Sequence, residues 1–144
     1  MNNTILESLI DDLVTANLIL FNEGVLDAFG HVSVRNPHNR DHFFLARNMA
    51  PGLVTKEDIL EFNLDGEVVN NDPRKVYLER YIHSEIYRER DDVEAIVHSH
   101  SHSVVPFSVV KSAPLRPMGR MSGVMGRHGP IFEIRDVAGD KTNM

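Results

Sequence analysis

From Ile5 to about Asn22 apolar residues recur with a helical period, at Ile5, Leu9, Ile10, Leu13, Leu18 and Ile19, which predicts an amphipathic helix. Asn3 or Thr4 suits its N-cap and Gly24 its end. The period then shortens to two. Phe29–Val34 (FGHVSV) alternates as a short strand and leads into the turn residues Asn36-Pro37-His38-Asn39. Phe43–Leu45 reads as a second strand. Thr55-Lys56-Glu57-Asp58 has the make-up of a helix start or ST-turn before a third strand at Ile59–Asn63, and Asp65-Gly66 is a hairpin-turn signal into Glu67–Val69. Leu78, Ile82 and Ile86, four apart, place a helix over Tyr77–Arg90. A strand at Ala95–Val97 follows, then a Pro/Met/Gly-rich stretch from Pro114 to Pro130 and a last strand at Ile131–Ile134. With no repeat and no low-complexity linker, the pattern predicts one mixed α/β unit over residues 1–144.

Composition narrows the classes. A length of 144 residues suits one domain with a sizeable core. Hydrophobic content of 42% and charged content of 25% are those of a soluble globular protein. The net charge of −6 and the lack of a basic stripe argue against nucleic acid as a partner. Cysteine is absent, which excludes disulfides, zinc-thiolate sites and cysteine nucleophiles. The N-terminus carries acidic residues where a signal peptide would be positive, and no apolar run approaches membrane-spanning length. A cytoplasmic protein is expected, with no membrane partner.

Candidate chemistry concentrates in Val93–Ser103 (VEAIVHSHSHS), where histidines alternate at the end of an apolar run. In a strand, side chains at i and i+2 share a face, so His98 and His100 point the same way with Cα atoms roughly 6.6 Å apart. That spacing suits two imidazoles closing on one metal ion. His102, roughly 13 Å from His98 on a continued strand, is too far to share it and is read as a pocket or surface residue. The segment alone equally fits a solvated polar run. On the Tyr77–Arg90 helix, Glu79 and His83 stand at i and i+4 and project from one face. The tight connection through Arg90-Asp91-Asp92 can bring that face beside the strand end, with Glu79 near His98 and His100. A carboxylate there could be a ligand or a general acid/base.

The order Glu79-x-x-x-His83, then Arg90-Asp91-Asp92-Val93-x-Ala95-Ile96-Val97-His98-Ser99-His100-Ser101, resembles the class II aldolase/adducin family. The upstream Phe29-Gly30-His31-Val32-Ser33-Val34-Arg35 is similar to that family's Gly-Asn-x-Ser substrate loop, and Asp65-Gly66 to the hairpin between the motifs. The resemblance implies a three-layer α/β/α fold around a mostly antiparallel central sheet, usually assembled as a homotetramer. It also implies a divalent metal, zinc first and Mn, Mg or Co as alternatives. Carried over by position, His98 and His100 match metal ligands and Glu79 matches the catalytic acid/base. Gly30, His31 and Ser33 fall in the substrate loop.

Two departures bear on the substrate. Members acting on sugar phosphates carry a Ser-Ser pair before the catalytic Glu, where Tyr77 and Leu78 stand here, and the loop Asn is His31. Tyr77-Leu78-Glu79-Arg80 with Pro114-Leu115-Arg116-Pro117 resembles the branch that decarboxylates hydroxylated aromatic acids or ring-cleavage products. Arg47, Arg80 and Arg116 are candidates to grip a carboxylate, because guanidinium matches it bidentately. The implied function is a metal-dependent carbon–carbon lyase working through a metal-stabilised enolate, by decarboxylation or retro-aldol cleavage of a small-molecule substrate. The alternatives are a non-catalytic adducin-like scaffold or inactive fragment, and a sugar-phosphate aldolase, epimerase or dehydratase. The family's third metal histidine lies well downstream. The chain runs out at Asp140–Met144, so an incomplete domain lacking its C-terminal part is expected. His128, between Arg127 and Gly129, is the substitute considered for that ligand, while His38 and His42 flank a polar turn and are read as solvated.

Overall fold

A computed structural model describes residues 2–110, 112–119, 122, 132 and 136. They divide into two compact units, Met1–Ser101 and His102–Met144. In the first unit the elements run α1 (Asn2–Asn22), β1 (His31–Arg35), β2 (His42–Ala46), β3 (Ile59–Asn63), α2 (Arg80–Glu89) and β4 (Ala95–His98), with single 3-10 turns at Pro51–Leu53 and Lys56–Asp58. The second unit contains α3 (Val105–Val109), which the sequence reading did not anticipate. His128, Asp140–Met144 and all of the expected strand Ile131–Ile134 except Phe132 lie outside the described residues. Among the described residues no helix is long and apolar enough to cross a membrane.

The four strands form one sheet in the order β3-β2-β1-β4, every neighbouring pair antiparallel. Phe43 faces Phe62 and Leu45 faces Leu60 across β2 and β3, while His31 faces His98 across β1 and β4. Helix α1 covers one face of this sheet. Its Leu6, Leu9, Ile10, Leu13, Ala16 and Leu20 pack with Val32 and Val34 of β1 and Phe44 of β2. Ile5, Leu18 and Ile19, which helped to reveal the helical period, point outward. Gly24, with φ +67°, ends the helix in the left-handed region that glycine enters without steric cost.

The opposite face holds the larger core, Phe43, Leu45, Val54, Leu60, Phe62, Tyr77 and Tyr87. Helix α2 lies on this side. It starts at Arg80, three residues later than the sequence reading placed it, and Tyr77 precedes it. Of the apolar row Leu78, Ile82 and Ile86 that identified it, Leu78 and Ile82 are exposed and Ile86 is half-buried, while His83, Ser84 and Tyr87 are its buried positions. The cause is the strand beneath. β1 reads His-Val-Ser-Val-Arg, so its two valines serve the α1 side and His31, Ser33 and Arg35 face α2. A polar strand face calls for a polar helix face. The Asp65-Gly66 turn forms as expected, with Gly66 at φ +75°. Its second arm makes one bridge, Val68 to Phe62, rather than a strand, because the chain turns away at Asn71, φ 52°.

Arg35 fixes the far end of α2. Its guanidinium donates to four backbone carbonyls: Val93 (2.9 Å), Arg40 (2.6 Å), Tyr87 (2.7 Å) and Arg90 (2.8 Å). It also lies over the Tyr87 ring at 4.6 Å. Two of those carbonyls belong to the last turn of α2, where a helix has no partners of its own. Because hydrogen bonds from a charged group contribute about 1.5–3 kcal/mol each, Arg35→Met is expected to lower unfolding free energy by at least ~3 kcal/mol. Urea unfolding monitored by circular dichroism measures this; a loss below ~1 kcal/mol would contradict the assigned role.

Candidate functional site

Three chain ends converge on one side of the sheet: the start of β1, the end of β4 and the N-terminus of α2. The antiparallel register sets His31 opposite His98, and their rings stack with centroids 4.8 Å apart and planes 20° apart. Gly30 permits this approach. A Cβ there would stand 2.8 Å from Leu26 Cδ2 and 3.0 Å from the His98 carbonyl oxygen. Strand β4 ends at His98, so His100 does not reach the site as a strand neighbour. The chain bends beyond His98, Ser99 Oγ donates to the Val25 carbonyl, and Ser101 N donates to Ser99 Oγ at 3.1 Å. The bend brings His98 Nε2 and His100 Nε2 to 3.0 Å, with the rings edge to face.

Glu79 stands at the N-cap of α2 and aims its carboxylate at these rings. Oε1 lies 3.3 Å from His98 Nε2 and 3.9 Å from His100 Nε2, and Oε2 lies 3.5 Å from His31 Nε2. Its side chain is 39% exposed, whereas His31 is fully buried. Two nitrogens bound at about 2.0–2.1 Å in a tetrahedral site lie about 3.3 Å apart, and His98 Nε2 and His100 Nε2 at 3.0 Å are within a few tenths of an ångström of that. The other ring nitrogen of His100, Nδ1, is 3.3 Å from Asp27 Oδ1. Donation to that carboxylate directs a lone pair at Nε2 into the cluster, the arrangement that orients metal-binding histidines. A second grouping, His31, Glu79 and His98, offers ligand atoms all within 4.8 Å of one another. The donor set therefore fits a divalent cation.

Behind the cluster a buried polar array runs along the β1–α2 contact. His31 Nδ1 lies 2.8 Å from His83 Nε2, His83 Nδ1 lies 2.6 Å from Ser33 Oγ, and Ser33 Oγ lies 2.8 Å from the Tyr87 hydroxyl. Burial, then the neighbouring His98, lowers the pKa of His31 to about 4. Burial, then His31, lowers that of His83 to about 3. Burial raises the Tyr87 phenol to about 12 against the hydrogen bond to Ser33. Partial burial opposes ionisation of Asp27, but backbone donors at Phe29 and Gly30 and the His100 contact leave its pKa below the ordinary value.

The other sequence-derived candidates are placed as follows. Tyr77 lays its ring 4.4 Å from that of His31 and donates its hydroxyl to the Met49 carbonyl. Arg47 is bound to Asp58 at 2.7 Å. Arg80 donates to the Gly66 carbonyl (2.7 Å), the Tyr77 carbonyl (2.9 Å) and the Tyr81 hydroxyl (2.6 Å). The fold thus uses both guanidiniums, and neither is aimed at the cluster by these bonds. Arg116 and His102 are exposed residues of the second unit. His38 is exposed, while His42 is half-buried on Glu61 at 2.8 Å. Sequence reasoning overlooked Asp27, whose Asx turn to the Phe29 and Gly30 amides was legible as Asp-x-x-Gly between helix and strand. It also overlooked Tyr87, although 79, 83 and 87 lie on one helical face.

Comparison with known proteins places the chain in a family. A family model described as "Class II Aldolase and Adducin N-terminal domain" matches residues 11–142. Decarboxylase tropJ of Talaromyces stipitatus is 43% identical over 118 residues, covering 81% of this chain and 44% of that protein. An L-fuculose phosphate aldolase of Methanocaldococcus jannaschii is 36% identical over 78 residues, 54% of this chain and 40% of that protein. Among solved structures, L-fuculose 1-phosphate aldolase from Glaciozyma antarctica PI12 superposes with a TM-score of 0.76 at 29% identity, covering 90% of this chain and 57% of that one. The chain therefore spans less than half the length of these two sequence relatives.

Neutral burial of the histidine pair has a pH consequence. The folded pKa values, about 4 and about 3, lie below the unfolded value near 6.5. Between these limits the unfolded chain binds more protons, so the stabilising contribution is complete above pH ~6.5 and is lost progressively as pH falls toward ~4. Urea midpoints measured in steps from pH 7.5 to 4.5 should fall over that window, and His83→Gln should flatten the fall. A flat profile in the parent protein would contradict neutral burial.

Proposed function

The chain belongs to the class II aldolase and adducin family, and from that premise we propose that it carries the metal site of a divalent-metal-dependent carbon–carbon lyase. Its reaction is read as decarboxylation of a small hydroxylated carboxylic acid, aromatic or derived from ring cleavage. The observation that carries the metal reading is the 3.0 Å approach of His98 Nε2 and His100 Nε2 beside the Glu79 carboxylate. Those two histidines would hold the ion, with zinc the first choice, and Glu79 stands within reach of it. When bound, the cation supplies Lewis-acid stabilisation of charge developing on a substrate oxygen.

In this reading the bond from carbon to the departing carboxylate breaks and CO₂ leaves. The electron pair delocalises onto an adjacent carbonyl oxygen. Glu79, in its carboxylic acid form, delivers a proton to that carbon and becomes the carboxylate, which solvent reprotonates. Its partial exposure allows that exchange. The Tyr77 ring and Leu78 stand where relatives acting on sugar phosphates are read to carry hydroxyls. With the Tyr77 hydroxyl committed to Met49, this supports an unphosphorylated, planar substrate. Likeness to a decarboxylase over 81% of the chain points the same way. A retro-aldol cleavage would use the same groups, and the likeness to L-fuculose phosphate aldolases favours it as the second reading. The working form is proposed to be a homo-oligomer.

Elemental analysis and zinc titration should give one bound ion per chain, abolished in the double variant His98→Ala/His100→Ala. Hydroxylated aromatic carboxylates should release CO₂, and sugar phosphates should yield no aldehyde. Glu79→Gln should keep the metal and slow turnover at least ~100-fold, the usual contribution of a general acid or base. Absence of stoichiometric metal would favour the scaffold alternative, and undiminished turnover in the Gln variant would remove Glu79 from the chemistry.

A further inference from the structure

The array behind the site has a direction, and that direction decides what His31 presents to Glu79. The Tyr87 phenol is 1% exposed, and among the described residues its hydroxyl has one hydrogen-bond partner, Ser33 Oγ at 2.8 Å. A buried phenol whose only neighbour is a hydroxyl donates to it, since otherwise its own hydrogen is stranded away from water. Ser33 then accepts from Tyr87 and has its own hydrogen to give, and the atom that receives it is His83 Nδ1 at 2.6 Å. With Nδ1 accepting, the ring proton of His83 sits on Nε2 and is donated to His31 Nδ1 at 2.8 Å. His31 Nδ1 is thereby an acceptor, so the ring proton of His31 sits on Nε2. That atom is buried and, among the described residues, makes no conventional hydrogen bond; it faces Glu79 Oε2 at 3.5 Å.

We propose that Tyr87, acting through Ser33 and His83, fixes His31 as an N–H donor aimed at the Glu79 carboxylate and thereby withholds it from the metal's ligand set. The inference deepens the lyase reading above and rests on it for its functional meaning. Tyr87 is a positioning residue. His31 faces the reacting carboxylate with its N–H side toward Oε2 at 3.5 Å, which leaves Oε1 toward His98 and His100 for the ion or the substrate. A nitrogen bearing a proton has no lone pair for a cation. His31, Glu79 and His98 are therefore close enough to share an ion but are not wired to do so. The reverse direction would leave the Tyr87 hydrogen without an acceptor and the His31 Nε2 lone pair without a donor, two buried vacancies in place of one long contact. The low pKa values of both histidines agree with single protonation of each ring.

Long-range 1H–15N correlation spectra of the full chain, labelled with 15N-histidine and stripped of metal with EDTA, read the tautomers directly. His31 and His83 should both carry the proton on Nε2. In Tyr87→Phe, Ser33 loses its donor and is free to accept from His83, so the Nδ1–H form of both rings should appear. An Nδ1–H form of His31 in the parent protein, or spectra unchanged by Tyr87→Phe, would overturn the proposal. If that variant fails to fold, the parent spectrum still decides. Zinc added to the parent chain should move the His98 and His100 nitrogens and leave the His31 N–H in place; loss of that N–H also overturns it. No response to zinc at His98 or His100 would sink the metal reading, while the tautomer, measured without metal, would stand.

Discussion

The constraint that organises this molecule is the polar face of β1. A central strand that buries His31, Ser33 and Arg35 cannot be covered by an ordinary apolar helix face. A buried polar group left without a partner costs about 1–3 kcal/mol, comparable to the gain of about 1.5–3 kcal/mol from burying a large apolar side chain. Three such groups in one row would cancel much of what Phe43, Leu45 and Phe62 contribute from the neighbouring strands. Helix α2 resolves this with one row of its own. His83 and Tyr87 reach His31 and Ser33, and the last carbonyls of the helix take Arg35. The polar contacts, more than the apolar ones, set the rotation and height of α2.

That placement creates the site. With α2 held at both ends of β1, its N-terminus falls over the start of the strand, and Glu79, one turn before His83, projects over His31 and the β1–β4 pair. The sheet register does the rest, since a one-residue slip of β4 would turn His98 to the other face. Gly30 is the point where tolerance is least, because a side chain there would meet the His98 carbonyl. The cluster is thus a by-product of three constraints, each with its own structural cause, that meet at one sheet end.

Much of this was readable along the chain. The α1 period, the four central strands and the Asp65-Gly66 turn follow from spacing that tertiary packing did not override. The pairing of Glu79 with His98 and His100 followed from the short link between α2 and β4. What spacing could not supply was which side of each element is inside. Leu78 and Ile82, two of the three apolar positions that marked α2, face solvent, because the strand below selected the row of Glu79, His83 and Tyr87 instead. Ile5, Leu18 and Ile19 mislead in the same way on α1. His100 joins His98 by a bend after β4 rather than by strand alternation, and Asp27, which orients it, comes from a loop whose approach only the folded chain reveals. Single residues such as Arg47 and Arg80 looked like anion binders because their partners, Asp58 and the Gly66 carbonyl, are distant in sequence.

The same burial that satisfies β1 also divides labour within the cluster. His31 and His83 are neutral behind the site, with pKa values lowered to about 4 and about 3 chiefly by desolvation, which disfavours either as a proton carrier in the proposed reaction near neutral pH. Tyr87, raised to about 12, cannot release one. In the proposed reaction, proton transfer is assigned to a group with access to solvent, and Glu79 has it. A rigid neutral array behind and a partly open carboxylate in front form a workable partition: the array holds geometry without competing for the proton. A cation beside His98 and His100 would further disfavour any charge on His31.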